Sequence, residues 1–235
     1  MNSDNSKPDA DSHINPMVFL KHYAMKPLFW AGLIIFKIPV FCTIFYHTKL
    51  ISYTHDSCYQ KQDMMKVNIK INNIPAIVWG ETSNNLYIAV HGNLSHKEDT
   101  VIELLAQEAT AKGYQVLSFD LPEHGERKDD ITPCKVQNCV HDLIEIVKYS
   151  KTRWREINLF ACSMGAYFSL LAYPDKVLKK ALFLSPVVDM ERIIRNMMTW
   201  FQITPERLEK EGTIDTPVGQ KLYWDYFCYV IDHPV

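Results

Sequence analysis

The residues best placed to do chemistry are Phe160-Ala161-Cys162-Ser163-Met164-Gly165, which lie between an apolar run, INLFAC, and a run of helical character, GAYFSLLAY. A serine on a sharp turn from strand into helix projects its Oγ past the carboxyl edge of a sheet. Small residues two before and two after it let the crowded backbone pass. Gly165 fills the second small position and Ala161 the first. Ser163 is therefore the candidate nucleophile, and a serine hydroxyl needs a base to become one at neutral pH. Two more polar clusters end apolar runs upstream: His91-Gly92-Asn93 after NLYIAV, and Asp120-Leu121-Pro122-Glu123-His124-Gly125 after YQVLSF. Both histidines read as architectural, His91 bracing a loop at the end of its strand.

The elements that must position these residues are plain in the pattern. KVNIKIN alternates in polarity and IPAIVWG follows across Asn72-Asn73, which predicts an opening hairpin. NLYIAVHG, YQVLSFD, INLFAC and ALFLSPVV read as short, buried, parallel strands. Between them, residues 98–112 place Val101, Leu104, Leu105 and Ala109 on one helical stripe, stopped at Gly113. Residues 136–149 do the same with Val140, Leu143, Ile144, Ile146 and Val147. Strands alternating with helices predict an α/β fold: a doubly wound, mostly parallel sheet covered on both faces. Ser185-Pro186-Val187-Val188-Asp189 ends the last strand. The amphipathic ERIIRNMMTWFQ and the capped TPERLEKEG then predict a helical cap with no clear strand.

From about Lys66 to Val235 this pattern resembles the α/β-hydrolase superfamily, within it the serine-aminopeptidase-like and monoacylglycerol-lipase-like branch. The 120–125 turn is similar to the family's D-x-P-G-H-G, with Glu123 in place of the first glycine. The resemblance implies an ester, thioester or amide substrate, an acyl-serine intermediate and no cofactor. It also implies that the backbone N–H groups of Asn93 and Met164 form an oxyanion hole, each such donor being worth roughly 3 kcal/mol in the transition state. It places an acidic residue and a histidine base beyond the cap. The sequence runs through the cap to Ile231-Asp232-His233-Pro234-Val235 without a strand to carry either. Asp189 reads as a cap-opening residue and His233 as a terminal histidine without a scaffold. The expected function is hydrolysis of a small acyl ester or amide through Ser163. The alternative is a hydrolase fold without turnover, acting as a binding module or as a membrane-tethered protein.

Composition narrows the field further. A formal net charge of −2 and the lack of any basic cluster argue against nucleic acid as the partner. Residues 1–26 form a polar leader. Residues 27–46, PLFWAGLIIFKIPVFCTIFY, are apolar over roughly the length that spans a bilayer, so a hydrophobic N-terminal helix is expected there. A membrane anchor, an interfacial helix, a buried extra helix and sequence ahead of a true start at Met64 or Met65 all fit that run. The organisation expected is leader (1–26), hydrophobic helix (27–46), hydrolase core (66–188) and partial cap (189–235), located in the cytoplasm or at a membrane. The six cysteines show no CxxC spacing, which speaks against a disulfide framework or a zinc site and for free thiols in a reducing compartment. Cys134 and Cys139 flank Lys-Val-Gln-Asn and can pair only in an exposed, oxidised loop. Trp200, Phe201, Trp224, Tyr226 and Phe227 read as the cap's own core or as the walls of an acyl site.

Overall fold

A computed structural model of the protein describes residues 64–173 and 178–235. β1 (Lys66–Ile71) and β2 (Ile74–Trp79) pair antiparallel. Asn72 and Asn73 between them hold φ of 47° and 69°, left-handed at both central positions as a two-residue hairpin turn requires. β3 (Asn85–Val90), β4 (Gln115–Phe119), β5 (Glu156–Cys162) and β6 (Ala181–Leu184) complete a sheet of order β1-β2-β4-β3-β5-β6. Pairing is antiparallel from β1 to β4 and parallel from β4 onward. The crossovers are α1 (Thr100–Thr110) after β3, α2 (Val136–Lys151) after β4 and α3 (Ser163–Ala172) after β5.

Helices cover both faces because the strands are apolar on both. Leu86, Ile88 and Val90 of β3 face Leu143 and Ile146 of α2 and Tyr167 and Phe168 of α3. Their neighbour Ala89 points the other way, into a cluster with Ile77, Trp79, Val116, Phe160 and the α1 residues Ile102, Ala106 and Ala109. This period of two with apolar side chains on each side is the signature of a central strand. Trp79, fully buried, satisfies its indole by donating to Ser118 Oγ at 2.8 Å.

Beyond β6 come α4 (Met190–Trp200), α5 (Pro205–Glu211), β7 (Thr213–Asp215), β8 (Lys221–Tyr223) and α6 (Trp224–Asp232). Asp189 caps α4 by accepting from the Arg192 N–H at 2.9 Å, and Thr204 caps α5 from the Arg207 N–H at 3.2 Å, with Pro205 at the first helical position. The β7–β8 hairpin corrects the expectation of a cap without strands. Three residues a side is too short for alternation to stand out; the turn closes instead through Thr216, whose N–H and hydroxyl both donate to the Gln220 carbonyl at 2.8 and 2.7 Å. Among the aromatics of this region Phe227 is buried against Trp224 (ring centroids 5.9 Å apart), while Trp200 is 55% exposed. The leader (1–26) and the apolar run (27–46) lie outside the described residues. Among the described residues no helix is long and apolar enough to cross a membrane.

The loops at the carboxyl edge are tied by a buried charge network. Asp120, wholly buried, accepts from the Lys97 N–H and Nζ, both at 2.8 Å, and from the Glu126 N–H at 3.0 Å. Its carbonyl accepts from Arg127 Nη1 at 3.2 Å, and the same guanidinium pairs with Asp142 of α2. One carboxylate thus joins the loop after β3 to the turn after β4. Asp120→Ala strips the buried Lys97 ammonium of its buried partner, leaving it only the exposed Glu126 carboxylate at 2.6 Å, and orphans two backbone N–H groups; it should lower unfolding free energy by about 3–5 kcal/mol. Glu126→Gln, at a side chain 59% exposed, should cost less than about 1 kcal/mol. Urea unfolding of the two variants checks the contrast; equal losses would refute the central role of Asp120.

Candidate active site

β5 lies between β3 and β6, so its end is flanked by parallel strands on both sides at the carboxyl edge. Cys162 is still extended, at φ −109° and ψ 137°, and the next residue opens α3. The change of direction falls on Ser163, which takes φ 48°. For a residue with a Cβ that conformation costs of order 1–3 kcal/mol and persists only where packing imposes it. Here the packing is visible. A Cβ on Gly165 would run into the His91 carbonyl oxygen and sit 2.9 Å from Val90 Cγ1. A Cβ on Gly92 would sit 3.1 Å from the Ser163 Cβ. Both glycines are therefore sites of close backbone approach, and together they bring the loop after β3 beside the serine. Ser163 itself is half-buried, and its carbonyl accepts from the Val187 N–H at 3.1 Å.

The expected donors flank this serine. Asn93 follows Gly92 on the loop, and Met164 is the second residue of α3. Among the described residues no acceptor is found for the N–H of either. The adjoining Leu94 N–H, in contrast, donates to His124 Nε2 at 3.2 Å.

His91 is buried, and both ring nitrogens are engaged. Nε2 accepts from the Leu121 N–H at 3.1 Å, which leaves Nδ1 to carry the proton and donate to the Gly92 carbonyl at 2.7 Å. Burial pushes its pKa down to about 4. A ring so engaged braces the Gly92 loop and has no free nitrogen for proton transfer. His124 contacts the same loop: its Nδ1 lies 2.8 Å from the Pro122 carbonyl, and Nε2 lies 3.3 Å from Asn93 Oδ1. Burial lowers its pKa, but hydrogen bonding and charge from Cys134 outweigh that and the net shift is upward. The thiol next to the serine is no rival nucleophile, because burial raises Cys162 to about 12. His233 makes no hydrogen bond to Ser163; it stacks on Tyr229 with centroids 3.9 Å apart and holds the Tyr229 carbonyl at 2.8 Å through Nδ1. His96 Nδ1 accepts from the Glu98 N–H and His141, 74% exposed, lies beside Asp142. Among the described residues no group of three His, Cys, Asp or Glu could hold a metal ion.

Sequence reasoning did not find Lys97 or the anchoring part played by Asp120. Nor did it find what Glu123 does. Glu123 holds φ 61° where the resemblance puts glycine, and its carboxylate accepts from the Cys134 N–H at 2.7 Å. The departure from the family's turn was itself the signal.

No protein-family model matches the chain, and no curated protein sequence matches it. Solved structures do. Est1E from Butyrivibrio proteoclasticus, in its complex with ferulic acid, superposes with a TM-score of 0.57 at 21% identity, covering 71% of each chain. Alpha/beta hydrolase domain-containing protein 10 from mouse superposes with a TM-score of 0.54 at 14% identity, over 74% of this chain and 71% of that one. The likeness is one of fold: an α/β domain with a mixed, mostly parallel sheet resembling α/β-hydrolases.

The buried, neutral His91 makes stability depend on pH. Its folded pKa of about 4 lies below the unfolded value of 6.5, so the unfolded chain binds the proton first as pH falls. The contribution is fully present above pH 6.5 and is lost toward pH 4, amounting to about 3 kcal/mol. Urea midpoints across that range should fall for the parent chain, and less steeply for His91→Gln. Equal slopes would show that His91 is not held neutral.

Proposed function

We propose that this chain carries the nucleophile and oxyanion hole of a serine hydrolase that takes small acyl esters, thioesters or amides through an acyl-serine intermediate. The observation that carries the reading is Ser163 at φ 48° between β5 and α3, with the Gly92 backbone against its Cβ. In the step proposed, Ser163 Oγ attacks the substrate's carbonyl carbon and its proton passes to a water molecule, which returns it to the leaving atom as the C–O, C–S or C–N bond breaks. The carbonyl oxygen gains the negative charge, which the N–H groups of Asn93 and Met164 receive. The leaving alcohol, thiol or amine then departs with a proton, and water hydrolyses the acyl-serine. Donors fixed before the charge develops lower the barrier without reorganising. The fold likeness to esterases agrees with this class of reaction. Ferulic acid in Est1E is an aryl acid of the size proposed, which makes small aryl and short-chain acyl esters the first substrates to try. The serine-aminopeptidase-like and monoacylglycerol-lipase-like branch is proposed from the 91–93, 120–125 and 161–165 motifs.

One observation favours the second reading, binding without turnover. None of the described histidines, at 91, 96, 124, 141 and 233, hydrogen-bonds Ser163. A serine lacking its base keeps only the residual catalysis of binding and oxyanion stabilisation, several orders of magnitude below a full triad. Both readings are separated by one experiment on the chain. A fluorophosphonate probe should label Ser163 slowly, Ser163→Ala should abolish the label, and added imidazole should accelerate labelling by standing in for the base. Labelling that persists in Ser163→Ala would overturn the assignment of the nucleophile. Labelling at Ser163 that imidazole leaves unchanged would show that a base is already in place and would overturn the reading without turnover.

A further inference from the structure

The loop ahead of α2 sets two thiols against each other. Lys135 is the N-cap of α2 and Val136 its first residue, so Cys134 is the residue before the cap and Cys139 the fourth of the helix. Those two positions face each other across the start of a helix and commonly hold an apolar pair that fixes how the chain enters. Here both are cysteines, and their sulfurs are 3.7 Å apart. The loop is pinned on either side. The Cys134 N–H donates to Glu123, the Pro133 carbonyl accepts from Asn138 Nδ2 at 2.9 Å, and Lys135 Nζ reaches Asp225 of α6 at 2.7 Å.

We propose that Cys134 and Cys139 close a reversible disulfide, which makes this loop a redox modification site. A disulfide needs sulfurs about 2.05 Å apart, so the two thiols, at 3.7 Å, must close by less than 2 Å. The thiols are unequal. Cys134 is half-buried, while Cys139 is wholly buried. Cys134 ionises more readily than a free thiol: the Cys139 S–H and His124 favour its thiolate, against the opposing pull of burial and of Glu123. Cys139 is pushed well above the usual range, by burial first and then by the thiolate beside it. Asp142 acts in the same sense and Arg127 against it. Tyr226, half-buried with its hydroxyl out of solvent and held neutral, and Tyr223 complete the surroundings.

The order of events follows. With hydrogen peroxide as oxidant, the Cys134 thiolate attacks one peroxide oxygen, the O–O bond breaks, and hydroxide leaves and takes up a proton to become water. The Cys139 sulfur then attacks the Cys134 sulfenic acid, giving up its proton as the S–O bond breaks and a second water leaves. Two thiols and one peroxide give one disulfide and two waters. None of this depends on Ser163. It does alter what faces His124, which loses a thiolate neighbour while still touching the Asn93 loop.

The sequence supplies its own test, because Lys135 lies between the two cysteines. The full-length chain, purified reduced, is treated with stoichiometric peroxide, its free thiols are blocked, and it is denatured and cut with trypsin. Cleavage after Lys128, Lys135 and Lys148 gives peptides 129–135 and 136–148, which remain joined only through a Cys134–Cys139 bond. Most of peptide 129–135 should run in the joined pair, and dithiothreitol should release it. In Cys139→Ser a sulfenic acid should be trapped by dimedone at Cys134, and in Cys134→Ser none should appear at Cys139. Blocked thiols at both positions after treatment would overturn the proposal. So would a Cys134 bond to any other cysteine or to a second molecule, or sulfinic acid at Cys134 with Cys139 still free. The map on the parent chain decides the matter by itself if either variant fails to fold.

Discussion

The first turn of α3 passes so close to the end of β3 that position 165 has no room for a side chain. A Cβ there would collide with the His91 carbonyl, a contact that no rotamer relieves because the obstacle is backbone. That one approach sets the geometry around it. It forces the reversal at Ser163 into a left-handed conformation, turns the serine toward the Gly92 loop, and leaves the N–H groups of Asn93 and Met164 without protein acceptors. His91 holds the other side of the contact. With one nitrogen on the Gly92 carbonyl and the other on the Leu121 N–H, it fastens the end of β3 to the turn after β4. Buried polar groups of this kind are costly unless every valence is satisfied, and here both nitrogens are.

Around this contact, charge does what packing cannot. Loops at a sheet edge have few apolar residues to bury, and this one is held instead by Asp120, which gathers a lysine and two backbone N–H groups. The cost of desolvating Lys97 and Asp120 is met by their mutual attraction and by the extra hydrogen bonds, and such an arrangement has little tolerance for losing one member. Glu123 shows the same economy in a different place. It accepts a backbone strain that glycine would avoid, and its side chain anchors the Cys134 loop.

Period and punctuation made most of the framework legible. The Asn72-Asn73 hairpin, the four parallel strands and the helices between them follow from alternation, apolar runs and stop residues, and so does the turn that carries Ser163; the expected burial fails at β6, an outermost strand whose Leu182 is 56% exposed. What did not show in the pattern depends on atoms distant in sequence or on elements too short to have one. The Lys97–Asp120 pair joins residues on two loops, and a lysine followed by two acids reads locally as solvated surface. β7 and β8 are three residues each, below the length at which alternation differs from chance. The sequence marked Cys134 and Cys139 as a pair only for an exposed loop, whereas Cys139 is buried, and it is the position of the helix cap between them that gives their spacing a meaning.

The strand order has a consequence for how the molecule comes together. β1 and β2 are neighbours in sequence and can pair as soon as both exist. β3, in contrast, completes its pairing only with β5, where Asn85 lies opposite Glu156, and two helices and a strand intervene. Pairing over such a separation waits on loop closure, whose entropy cost must be met before any contact rewards it. Until β5 docks, the Asn93 loop has no serine beside it, and Gly165 has no backbone to press against. The nucleophile and its N–H donors therefore arrive together, in the same step that closes the centre of the sheet. During synthesis, residues 85–165 must all leave the ribosome before that step can occur, and what precedes it is a sheet of the four strands β1-β2-β4-β3 with its outer β3 edge still open.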